Sequence, residues 1–204
     1  ESLANITGTK KTSVIVASTG IIGRPLPYEK VLDALPELVR ILSPENHTLA
    51  ARGIMTTDTR PKEFQINTGI EGRHKEVYIG GMVKGAGMIN PCMSTMLCFI
   101  TTDAVIEQDV LKMALKEVVE DSFNMVTVDD DTSTNDMVLC LANGMAKNSR
   151  IKKGTEDYNR FLSSLKLLST ELAKMIASDG EGATKMIEVI VKGGWCKKDA
   201  QRVA

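Results

Sequence analysis

Apolar and polar positions follow two different periods along this chain, and the places where one gives way to the other mark its predicted elements. Val14 to Ala17 is a short apolar run closed by Ser18-Thr19-Gly20, the pattern of a buried strand that delivers a turn. From Tyr28 to Leu42 the period lengthens: Val31, Leu32, Leu35, Leu38, Val39 and Leu42 share one helix face, with Pro36 set to kink or shorten the helix. KEFQI (62–66) and KEVYI (75–79) are brief β-rich stretches either side of the turn-forming NTGIEGRH, and together they predict a hairpin. Met96 to Thr101 predicts a further strand. Glu107 to Asp121 repeats with the period of a surface helix, and Met125–Val128 and Met137–Ala142 read as two strands joined by a polar turn rich in Asp and Thr. Tyr158, Phe161, Leu162, Leu165, Leu168, Leu172, Met175 and Ile176 then mark the buried face of a long helix that DGEG stops. MIEVIVKG (186–193) predicts a last strand, and KKDAQRVA (197–204) reads as part of an amphipathic helix.

No repeat, low-complexity segment or Pro/Ser linker divides the pattern, so residues 1–204 are expected to form a single mixed α/β domain. A content of 43% hydrophobic and 25% charged residues over 204 positions is that of a globular protein. Because 25 basic residues face 26 acidic ones, no global field draws nucleic acid or an anionic membrane, and small molecules are the expected partners. Cys92, Cys98, Cys140 and Cys196 form no CxxC pair and stand apart from His47 and His74, so neither a zinc site nor a disulfide framework is indicated. No apolar run reaches the ~20 residues of a membrane span, and the polar opening ESLANITGTKK lacks a signal-peptide core; a soluble, reducing compartment is expected. The opening on Glu1 and the ending within a helical pattern read as cuts from something longer.

Four segments combine small residues with hydroxyls or charge: STGIIG (18–23), MTTDTRPK (55–62), KGAGMINPCMST (84–95) and DGEGATK (179–185). Glycine lets backbone N–H groups converge on a ligand, as an anion or oxyanion site requires. Each also has a plainer reading. KGAG lacks the spacing of a phosphate loop and reads as a tight turn, Thr19 as a helix cap, and Glu181 with Lys185 as a surface ion pair. Asp130 and Asp131 read as a solvated acidic turn, since no calcium-loop spacing surrounds them. No serine or cysteine has a histidine placed by any local signature. One route to a hydroxyl nucleophile without histidine is a threonine whose own α-amine is the base, exposed by a cut before it. Ser94-Thr95, ahead of the strand MLCFITTDA, offers such a position, although a threonine merely beginning a strand is the common case.

The segments ASTGIIGRPLP, IMTTDTRPKE, GGMVKGAGMINPCMSTML with FITTDA, SFNMVTVDDDTSTND, LANG and DGEGATKMIEV, in that order, resemble the ornithine acetyltransferases, also called glutamate N-acetyltransferases, of arginine biosynthesis. The resemblance runs over nearly the whole chain. It implies an αββα-type sandwich related to N-terminal-nucleophile enzymes, here lacking N- and C-terminal parts of the family fold. It implies self-cleavage between Ser94 and Thr95, leaving 1–94 as an α-chain portion and 95–204 as a β-chain portion. Thr95 would then carry an acetyl group from N-acetylornithine to glutamate, with its new α-amine as base. By the same resemblance Thr19 and Gly20 match the oxyanion-hole pair, a donor of which is worth roughly 3 kcal/mol of transition-state stabilisation. Lys84, Glu181 and the TTD threonines, Thr56 in preference to Thr57, match substrate-binding positions.

Two departures stand near the cut: Ser94 replaces the usual alanine, and Cys92 stands where asparagine is common. The resemblance further implies a heterotetramer of two α and two β chains, a cytoplasmic location or an organelle matrix in a eukaryote, and no metal or cofactor. It leaves open acetyl-CoA as a second acetyl donor. Two other readings of the same residues stay open: an N-terminal-nucleophile amidase or peptidase using Thr95, and a truncated chain with a binding role only.

Overall fold

The computed structural model describes residues 1–90 and 95–204. Its centre is a four-stranded sheet in the order β1 (Lys62–Glu71), β2 (Glu76–Lys84), β3 (Leu97–Thr102) and β4 (Met137–Ala142). β1 and β2 form the expected hairpin: they pair antiparallel and are closed by a turn in which the Gly72 amide donates to the Lys75 carbonyl at 3.0 Å. β2 and β3 are also antiparallel, with Lys84 opposite Leu97, so the end of β2 lies beside the start of β3. β3 and β4 are parallel, a pairing that requires a crossover, here carried by α4 (Gln108–Glu120).

The long helix α5 (Glu156–Ser178) packs across β1 and β2, with α4 beside it. Thr155 caps it by accepting from the Tyr158 amide, and Glu156 and Asp157 in its first turn suit the positive end of the helix dipole. Tyr158, Phe161, Leu165, Leu168, Leu172 and Ile176, spaced three or four apart, are buried against Val77, Ile79, Val83 and Ile100 of the sheet. Gly81 of β2 allows the close approach, since a Cβ there would stand 2.9 Å from Leu172 Cδ1 and 3.2 Å from Leu168 Cδ2. The described residues thus supply one sheet and a helical layer of the sandwich that the resemblance implies.

Three expected strands are absent among the described residues. Val14–Ala17 follows a 3-10 turn (Lys11–Ser13) as irregular chain, with Ile15 and Val16 exposed; 186–193 is likewise irregular, with Ile187, Val189 and Ile190 exposed. A β-rich run becomes a strand only when an edge is there to pair with it, and neither run pairs with an edge of this sheet. Met125–Val128 instead leaves a 3-10 turn (Phe123–Met125) and bonds a loop, the Val128 amide donating to the Ile89 carbonyl at 2.7 Å. The predicted helix at Tyr28 forms as α2 (Tyr28–Arg40) and runs through Pro36, but its apolar face stays largely uncovered, with Val31, Leu32 and Leu38 exposed. Shorter helices α1 (Ser2–Thr7), α3 (His47–Gly53) and α6 (Lys197–Val203) complete the chain. No helix among the described residues is long and apolar enough to cross a membrane.

Candidate functional site

The site gathers where β2 ends and β3 begins. Thr95 stands two residues before β3; its amide donates to the Met88 carbonyl at 2.9 Å, and its carbonyl faces Lys84 Nζ at 3.4 Å. The Thr95 hydroxyl is buried and has no hydrogen-bond partner among the described residues. A buried hydroxyl left unsatisfied costs roughly 1–3 kcal/mol. Ser94 and Cys92 lie outside the described residues.

The turn after β2, at residues 85–89, is held from outside by a carboxylate. Met88 adopts a left-handed backbone, φ 52°, which is strained for a methionine. Asp129 holds it in place, accepting from the Met88 amide at 2.6 Å and the Ile89 amide at 2.8 Å. On the other side of Thr95, Asp136 accepts from the Met96 amide at 3.0 Å. Burial pushes the Asp136 carboxyl up, against the opposing pull of that amide and of Lys84. Asp136 and Met96 also border an apolar cavity of about 300 Å³ between α4 and β4.

Beneath the turn is a buried ionic cluster. Lys62 Nζ donates to Asp58 Oδ1 at 2.6 Å and to Asp179 Oδ2 at 2.5 Å, with the Lys62 and Asp58 side chains wholly buried. Asp58 also accepts from the Gly85 amide at 2.7 Å and the Thr56 amide at 3.1 Å, while Asp179 accepts from the amide of Thr59 at 3.0 Å and from its hydroxyl. Burial alone would raise both carboxyls; Lys62 and the surrounding N–H and O–H donors outweigh it and hold both below the usual carboxylate range. Lys84 is buried too, and desolvation pushes its ammonium down from the ordinary lysine range, opposed by Asp58 and assisted by Lys62. Two carboxylates and two ammonium groups thus share one buried region and balance in charge, which is what makes ions tolerable there.

Glu181 reaches the turn from the loop after α5. Its amide donates to the Ala86 carbonyl at 2.7 Å, and a Cβ on Gly87 would stand 2.8 Å from its carboxylate, so the absence of a side chain at Gly87 makes room for it. The exposed carboxylate lies near enough to Lys84 to favour its charge.

Of the site residues expected from sequence, the structure therefore brings together Thr95, Lys84 and Glu181. Thr56 and Thr57 are exposed on a loop that Asp58 ties to Gly85. Thr19 is half-buried and Gly20 exposed, and no hydrogen bond among the described residues joins either to Thr95. Their segment touches the site's surroundings through Ser18, whose carbonyl accepts from Asn135 Nδ2 at 3.3 Å, next to Asp136. Sequence reasoning passed over Asp58, Lys62, Asp179, Asp129 and Asp136. The one local signal for the cluster was an acid and a lysine four positions apart in TTDTRPK. The described residues hold no group of His, Cys, Asp and Glu arranged to bind a metal ion.

The model of the ArgJ family matches residues 1–204. The arginine biosynthesis bifunctional protein ArgJ of Symbiobacterium thermophilum is 50% identical over 201 residues, covering 98% of this chain and 50% of that protein. Its namesake from Oceanobacillus iheyensis is 46% identical over 207 residues, 99% of this chain and 49% of that protein. The chain spans about half the length of the curated relatives it matches. Among solved structures, the arginine biosynthesis bifunctional protein ArgJ of Bacillus halodurans superposes with a TM-score of 0.51 at 47% identity, covering 52% of this chain and 50% of that one. The chain belongs to the ArgJ family.

Proposed function

We propose that this chain is the part of an arginine-biosynthesis acetyltransferase that carries its nucleophile, Thr95, and that the full-length protein moves an acetyl group from N-acetylornithine to glutamate. The observation that carries the reading is the buried Thr95 hydroxyl at the mouth of β3, without a hydrogen-bond partner among the described residues, with the Lys84 ammonium 3.4 Å from the Thr95 carbonyl. In the first event the hydroxyl attacks the Ser94 carbonyl; the Ser94–Thr95 amide breaks, an ester forms on the Thr95 oxygen, and water hydrolyses it. Ser94 becomes a carboxylate and Thr95 gains a free amine. That amine then takes the hydroxyl proton as the oxygen attacks the acetyl carbonyl, ornithine leaves with a proton, and the acetyl ester passes to the amine of glutamate.

Lys84 suits the α-carboxylate of either amino acid, and Glu181 suits an amino group. Thr56 and Thr57 edge the same loop system, and Thr19 and Gly20 supply the oxyanion-stabilising pair. Acetyl-CoA as a further donor fits the word bifunctional in the relatives' names. A heterotetramer of cleaved chains in the cytoplasm completes the proposal.

The test is an acetyl-transfer assay on full-length protein. Ornithine released from N-acetylornithine should appear only when glutamate is supplied, with N-acetylglutamate formed in equal amount. Release without glutamate overturns the reading in favour of an amidase using the same threonine. No turnover, with amino-acid binding retained, overturns it in favour of a binding role.

A further inference from the structure

The buried cluster links the TTD loop, the turn that follows Lys84 and the loop that carries Glu181, and Lys62 bonds both of its carboxylates. On one side Lys62 holds Asp58, which grips the Thr56 amide and the Gly85 amide, so the TTD loop and the turn that follows Lys84 hang from one carboxylate. On the other side Lys62 holds Asp179, two positions before Glu181 and bonded to the Thr59 amide. We infer that Lys62 is a positioning residue that sets the spacing of the Thr56, Lys84 and Glu181 segments around the substrate. The inference rests on the acetyl-transfer reading for the identity of the substrate, but not for the linkage itself.

The arrangement is costly unless it serves geometry. Burying three ionised side chains forfeits hydration that apolar side chains of similar volume would not need, and such clusters are commonly no more stabilising than an apolar replacement. What apolar side chains cannot do is fix three backbone segments by directed bonds. Lys62 leaves β1 at its first residue and its ammonium contacts carboxylates that are 121 positions apart in the chain, Asp58 and Asp179. Lysine suits this role, because three rotatable donors on one point charge can serve two carboxylates at once. Misplacing reacting groups by about 1 Å can cost on the order of a hundredfold in rate, so a distant hub can govern substrate use without touching substrate.

Two variants of the full-length protein test this. Lys62→Met removes the hub but leaves two buried carboxylates facing each other and is prone to misfold. The neutral triple variant Asp58→Asn, Lys62→Met, Asp179→Asn removes the linkage without stranding a charge. In the triple variant KM for N-acetylornithine and for glutamate should rise about tenfold or more, with kcat falling by a smaller factor. Hydrogen exchange should quicken at both 56–59 and 85–87. A folded triple variant with parental KM values and parental exchange overturns the inference. Failure of both variants to fold also overturns it, since the cluster is then purely structural. If parent protein proves not to transfer acetyl to glutamate, the functional reading fails instead, and the exchange pattern alone decides the role of Lys62.

Discussion

Replacing Gly87 with alanine separates substrate reading from stability at a single position. The added Cβ would stand 2.8 Å from Cδ and Oε1 of Glu181 and 3.1 Å from Oε2, closer than van der Waals contact allows. The atoms in the way are the free end of an exposed side chain, so the carboxylate can swing aside. The bond between the Glu181 amide and the Ala86 carbonyl is left in place. Folding stability should therefore change by about 0.5 kcal/mol or less, helped by the smaller chain entropy of alanine in the unfolded state. If Glu181 binds the substrate's amino group as proposed, a displaced carboxylate loses a charge-assisted bond worth roughly 1.5–3 kcal/mol, or about ten- to hundredfold in KM. Steady-state kinetics on full-length protein, with a thermal melt beside it, reads both quantities. Gly87→Ala and Glu181→Ala should each raise KM, and the double variant should be no worse than the stronger single, because both remove one interaction. An unchanged KM in Gly87→Ala with an unchanged melt would show that Glu181 does not read the substrate. Additive effects in the double variant would contradict the shared cause.

Gly81→Ala is the converse case: its Cβ would meet Leu172 and Leu168 in the packed core, so stability should fall by about 1–3 kcal/mol by denaturant titration while KM holds. Acid should loosen the buried cluster. Asp58 and Asp179 are held below the ordinary value of 3.8, so their contribution is fully present above that value and is lost as pH falls below it. Urea midpoints should therefore be flat from neutrality to about pH 5 as regards these two groups and drop below pH 4, and the drop should shrink in the neutral triple variant. Thr95→Ala should abolish acetyl-enzyme formation by intact mass after mixing with N-acetylornithine, while the fold seen by circular dichroism is kept.

The elements that carry their own pattern were legible in the sequence. The hairpin, α4, α5 and β4 lie where periodicity put them, and β4 matches its expected range Met137–Ala142 residue for residue. Val14–Ala17 and 186–193 failed as strands for the opposite reason: apolar content prescribes burial but not a partner, and neither finds one in this sheet. Thr95, Lys84 and Glu181 were reached through motif resemblance, and the fold draws them together. The hub beneath them was not reached. Lys62 read as the first polar residue of a strand, Asp179 as a helix stop, and only the closing of the chain over more than a hundred positions makes them partners.

The central claim is that Thr95 becomes a chain terminus and then the nucleophile. Denaturing mass spectrometry of the mature full-length protein measures it most directly. Two fragments parted between Ser94 and Thr95 in the parent, and one uncut chain in Thr95→Ala, are the predicted result. A single intact chain with full transfer from N-acetylornithine to glutamate would contradict it.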